Sequence, residues 1–213
     1  MTGYSLNEVQ AMAKKATRGA GYPWGLAEEA GQAVRWLCAR GIDGIGALSE
    51  LLDRFDGVAL GEISPQINAR EWTAEGRVLC PLTTGCALSD RATTLEFQDI
   101  RLGPVAAPAI LFAFAACSAS ICNSVVRLEW PQGVAITDGD KLYVQGVIEP
   151  ISEFVAIGRE NEVTMNCSRC DRARPDPKAW NTLSNYAHRT YAPATEESRI
   201  KGAGADISMA ADG

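Results

Sequence analysis

The sequence predicts an α+β fold: an N-terminal three-helix unit packed on a mostly antiparallel sheet, with one buried helix and a C-terminal helix. Three observations carry this prediction. Apolar residues recur at three- and four-residue spacing from Ser5 to Phe55, broken only by glycine turns. An unbroken apolar run covers Val105 to Cys117, and no charge occurs between Arg101 and Arg127. From Val125 onward the apolar period becomes two, with turn residues between the runs.

The first helix opens on a capping box, in which the Ser5 hydroxyl accepts an amide of the first turn and Glu8 reaches back to the Ser5 amide. Leu6, Val9, Ala13 and Ala16 fall on one face, with Lys14, Lys15 and Arg18 on the other. Cations in the last turn complement the negative helix end, and Gly19 or Gly21 can adopt the left-handed conformation that ends it. The second helix follows Pro23-Trp24-Gly25, with Glu28 and Glu29 in its first turn. Leu26, Ala30, Ala33 and Leu37 form one stripe, and Ala27, Gly31, Val34 and Cys38 a second. Two adjoining stripes of mostly small residues predict a wide buried face and a closely approaching neighbour helix. Gly31 costs about 1 kcal/mol of helix propensity against Ala, which close packing would justify. Gly41 ends this helix. The third takes Asp43 as cap, buries Ile45, Leu48, Leu52 and Phe55, and ends at Gly57.

The turn Arg18-Gly-Ala-Gly-Tyr-Pro-Trp-Gly could present amides to a phosphate, as glycine-rich turns before helices do. No strand precedes it, and Glu28 and Glu29 already occupy the helix end that an anion would want. A glycine cap and a tight helix–helix turn explain it better. RGAGYPWGLAEEAGQAVRWL, taken with RTYAPATEESRIKGAGAD near the C-terminus, resembles a bacterial family known as domain of unknown function 3726. The resemblance spans both ends of the chain and implies one bacterial protein of this length. It brings no reaction, cofactor or catalytic residue.

Past Gly57, residues 58–77 read as a connection with one short strand. Arg77–Leu82 reads as a strand, 83–91 as a loop, and Leu95–Leu102 as a strand whose phase shifts near Gln98, as a bulge would cause. A membrane span needs about 20 predominantly apolar residues. The run from Val105 is shorter, holds Pro108 and continues into Ser118, Ser120 and Asn123, so a buried helix is predicted instead. VVRLEWP, GVAITDGDKLYVQG and EFVAIGRENEVTMNC read as successive antiparallel strands. Asp138-Gly139 marks a hairpin with a mirror-image two-residue turn, and residues 159–162 mark the next turn. Pro175 and Pro177 introduce a helix from Trp180 to Arg189, a short helix covers Thr195 to Lys201, and the tail is mobile. One compact domain of 213 residues is expected, helical over about 1–57, sheet over about 77–170, helical again over about 177–202, with the tail at 203–213.

The formal net charge of −6 argues against a nucleic-acid partner, which needs clustered cations. The N-terminus lacks the charged-then-apolar pattern of an export signal, so the seven cysteines are expected as reduced thiols in the cytoplasm. Cys167-Ser-Arg-Cys170 has the spacing of a zinc knuckle or a redox pair. No second pair completes a metal site, and Asp-Arg-Ala-Arg-Pro follows where a redox motif would begin a helix. No metal site is therefore expected, and no cofactor is assigned. His188, the single histidine, could act as a base near Tyr191, or pair with Cys86 or Cys117 as a nucleophile; an ordinary surface histidine is the simpler account.

The candidate ligand residues are Thr84, Cys86, Ser89, Asp90 and Arg91 in the 83–91 segment, with His188, Tyr191 and Arg199 from the C-terminal part. Both segments concentrate hydroxyls and charges between regular elements, where binding residues gather. Turn capping and surface ion pairs would use the same residues. Two functions remain: a small-molecule-binding protein or enzyme whose 83–91 and 191–199 segments meet at one pocket, or a non-catalytic, self-associating accessory subunit.

Overall fold

A computed structural model describes residues 3–93, 99–163 and 169–191. The chain begins with β1 (Tyr4–Ser5) and α1 (Leu6–Gly19), joined by the predicted capping box. The Glu8 amide donates to the Ser5 hydroxyl at 3.3 Å, and the Ser5 amide donates to the Glu8 carboxylate at 2.7 Å. Helices α2 (Trp24–Cys38) and α3 (Gly44–Phe55) follow, the latter capped by Asp43, which accepts from the Gly46 amide at 2.8 Å. Val9, Ala13 and Ala16 on α1, both α2 stripes except Leu26, and Ile45, Leu48, Leu52 and Phe55 on α3 are all buried. The faces read from the sequence are thus the faces that pack, with Leu6 and Leu26 only half-buried.

The connection to the sheet holds more structure than a single strand. It contains the short α4 (Leu60–Ile63), β2 (Gln66–Ile67) and β3 (Glu71–Thr73), and fully buries Trp72. Two expectations fail after it. Arg77–Leu82 forms no strand beyond a single parallel bridge between Leu79 and Val105, and the expected 83–91 loop is helix α5 (Pro81–Asp90). Pro81 occupies the first helical position, where its missing amide costs nothing. Leu82, Gly85 and Leu88 then bury one face, so tertiary packing overrides the weak helix propensity of two threonines and a glycine.

Next come β4 (Ile100–Leu102), β5 (Val105–Ala106), a 3-10 turn (Pro108–Ile110) and α6 (Leu111–Cys122). The predicted buried helix is therefore α6, with Pro108 in the turn before it. Residues Leu111–Ala116, Ser118 and Ala119 are all buried. The sheet continues through β6 (Val125–Trp130), β7 (Gly133–Thr137), β8 (Leu142–Gly146), β9 (Ile151–Ser152) and β10 (Val155–Glu160). Finally β11 (Arg172–Ala173) pairs with β1, and α7 (Pro177–His188) packs across α1 and α3.

Seven strands form the main sheet in the order β2-β3-β4-β10-β6-β7-β8, antiparallel throughout except for β3 beside β4. Val126, Leu128 and Trp130 alternate into the core, where α6 covers β6 and β7. The β7–β8 hairpin is as expected, but its turn is not of the two-residue type. Thr137 pairs with Leu142, leaving a four-residue loop in which Asp138 Oδ1 accepts from the amides of Asp140 and Lys141. Strand β10 runs to Glu160, later than the expected turn at Arg159; residues 164–168 lie outside the described residues, as does the helix expected at 195–201. One contiguous apolar cluster runs from Val9 to Tyr186 and includes residues of the N-terminal helices, the sheet, α6 and α7. No helix among the described residues is long and apolar enough to cross a membrane.

Candidate functional site

The packing of α6 against α2 leaves a cleft of about 620 Å³, and the residue types on both helices account for it. On α6, Ala113, Ala116, Cys117 and Ser120 stand at i, i+3, i+4 and i+7, so four small side chains line the cleft from one helix face, with Phe114 beside them. Opposite them α2 presents Gln32, Ala33, Arg35, Trp36 and, just past its end, Ala39 and Arg40. Leu6 and Gln10 of α1 close one side, and Gly139 of the β7–β8 loop closes another. Gly139 has φ +103 and lies so near α6 that a Cβ there would fall 2.0 Å from Ser120 Oγ. Both its conformation and its proximity demand glycine.

The polar groups of the cleft are fixed from behind. The Arg40 guanidinium lies 3.8 Å from the centre of the Trp36 ring and donates to the Trp36 carbonyl at 3.2 Å and to the Asp140 carbonyl at 2.7 Å. Asp140 in turn pairs with Arg169. Arg35 donates from Nη1 to the side-chain oxygens of Asn7 and Gln10, which ties it to α1. Glu29 supplies the carboxylate, and Cys117 an exposed thiol.

The residues singled out in the sequence fall in two other places. Thr84, Cys86, Ser89 and Asp90 lie on α5, behind the α6 wall rather than on it. The Thr84 hydroxyl is fully buried with no hydrogen-bond partner among the described residues, and Ser89 Oγ donates to the Phe114 carbonyl at 3.4 Å. Burial, followed by the nearby Glu29 and Asp90 charges, pushes the Cys86 thiol up to about 12, so it stays protonated at neutral pH. Asp90 and Arg91 are exposed at the helix end. His188 and Tyr191 line a separate cleft on the α1–α7 face with Tyr4, Lys15 and Trp180, their rings 5.5 Å apart. That cleft has none of the α5 residues in its lining. Arg199 and Cys167 lie outside the described residues. Cys170, the described half of the CxxC, donates its amide to the Ala39 carbonyl at 2.8 Å, and Cys38, Cys80, Cys86, Cys117, Cys122 and Cys170 are all unbridged.

The reading from sequence thus missed the α2–α6 cleft. Two signals were present: the small-residue face of α6, and Trp36 standing between two arginines on the α2 face outside both apolar stripes.

No curated protein matches the chain. Among solved structures it aligns with malate dehydrogenase from Pyrococcus horikoshii OT3, at 11% identity and a TM-score of 0.45, over 68% of this chain and 49% of that one. It aligns likewise with malate dehydrogenase from Entamoeba histolytica, at 12% identity and 0.46, over 70% and 50%. The chain spans about half the length of these proteins. Residues 4–80, which include the N-terminal motif and not the C-terminal one, match the model of the family described as "Protein of unknown function (DUF3726)".

Proposed function

We propose that this protein binds a small organic molecule in the cleft between α1, α2 and α6. The observation that carries the reading is the cleft itself: apolar walls from Ala33, Trp36, Ala113, Phe114 and Ala116, with amide, guanidinium, carboxylate and thiol groups converging on one space. Small-molecule sites are commonly concave, apolar and furnished with a few placed polar groups, at about 300–1,000 Å³. The single histidine lines another cleft, and among the described residues of this lining Glu29 and Cys117 are the groups able to transfer a proton.

Thermal-shift screening of a metabolite set against the native protein and Cys117→Trp tests this. Cys117 is exposed, so the indole fills the cleft without entering the core. A compound that binds only the folded state raises its Tm. The expected result is at least one compound that stabilises the native protein and not the filled variant. Melting that depends on protein concentration, with no compound distinguishing the two proteins, would favour the self-associating subunit instead.

A further inference from the structure

We propose that the ligand of this cleft is an organic oxyanion with a flat apolar body, its negative group held by Arg35; this rests on the cleft being a ligand site. The two arginines of the cleft differ in their surroundings. Arg40 is satisfied by the protein: its nitrogens go to the Trp36 and Asp140 carbonyls, and the Asp140 carboxylate is 3.7 Å away. Among the described residues Arg35 is held only by neutral amide oxygens, those of Asn7 and Gln10, and no carboxylate pairs with it. A guanidinium positioned by neutral acceptors keeps its full charge and its remaining donors for a carboxylate, sulfonate or phosphate, which suit its planar fork.

The rest of the cleft fits such a ligand. Glu29 stands six residues before Arg35 on α2, about 9 Å along the helix axis, so one end of the cleft is electronegative and the other electropositive. An anion is therefore directed to the Arg35 end. The same lining holds Trp36 of α2, next to Arg35, and the small side chains of α6 at Ala113, Ala116 and Cys117, which leave room for a flat apolar group.

Two fluorescent probes separate the anion from the apolar body: 1-anilinonaphthalene-8-sulfonate, and N-phenyl-1-naphthylamine, which has the same ring system without the sulfonate. Each is titrated into the native protein and into the Arg35→Gln, Arg35→Lys and Cys117→Trp variants, with circular dichroism as the check on folding. Both probes should bind the native protein at one site and both should be lost in Cys117→Trp. Arg35→Gln should weaken the sulfonate about tenfold, as expected for losing a charged hydrogen bond, leave the neutral probe within about twofold, and be partly rescued by Arg35→Lys. Equal effects of Arg35→Gln on the two probes would overturn the oxyanion assignment while leaving the cleft intact as a site. Binding of both probes unchanged in Cys117→Trp would overturn the cleft reading itself.

Discussion

Gly31 lies where α2 crosses α1, and a Cβ there would fall 3.0 Å from the Gln10 carbonyl oxygen and 3.3 Å from Lys14 Cβ. At an open helical position Gly→Ala stabilises by about 0.4–1 kcal/mol through the unfolded chain. Here the carbonyl is backbone and cannot swing away, so Gly31→Ala is expected to be neutral or destabilising. Gly31→Leu should cost about 1–3 kcal/mol or more by overpacking. Urea melts of the two variants check this, and a stabilised Ala variant with a tolerated Leu would place α1 wrongly. This contact was legible in the sequence because a glycine inside a small-residue stripe is costly unless something sits against it. The cleft residues were less legible for the complementary reason. Arg35 and Trp36 occupy the face of α2 that periodicity marks as solvent, Arg40 follows just past its end, and the distant α6 turns this side into a wall.

At the scale of elements, the helices with local signals were legible and those without were not. Ser5 with Glu8 and Asp43 cap as read from the sequence, whereas α7 begins at Pro177 with Asp176 as its cap, three residues before the expected start at Trp180. Helix α5 has a proline, two threonines and a glycine in its first half, and its burial against α6 and α2 outweighs their weak helix propensity. Two of the local devices bear on acid stability. Hydrogen bonds from the Ser5 amide and hydroxyl hold the Glu8 carboxyl below its ordinary value of 4.5, and the Arg189 fork across α3 and α7 holds Asp56 below 3.8. In both cases the folded state binds a proton less readily than the unfolded chain. Their contribution is therefore complete above pH 4.5 and is lost as the pH falls through the lowered values. Native protein should lose more stability between pH 7 and about pH 3 than a Glu8→Gln/Asp56→Asn variant does, as read by urea melts at both pH values. Equal losses would show that these carboxylates do not govern the acid limb.

At the scale of the whole molecule, the helical third and the sheet are joined through α6. One side of that helix covers β6 and β7, another packs on α5, and its small-residue face looks onto α2 across the cleft. The β7–β8 loop reaches the same place, where Arg40 holds the Asp140 carbonyl and Gly139 touches Ser120. Four separate stretches of chain therefore meet at one cavity, which local sequence patterns cannot report. The most direct measurement of whether that cavity takes a small molecule is the alkylation rate of Cys117 by iodoacetamide, followed by mass spectrometry with and without N-phenyl-1-naphthylamine. Cys170, which lines a different cleft, serves as the internal reference. At roughly ten times its Kd the probe should slow Cys117 labelling about tenfold and leave Cys170 unchanged; a Cys117 rate that does not respond to bound probe, or that changes in step with Cys170, would contradict a ligand site between α2 and α6.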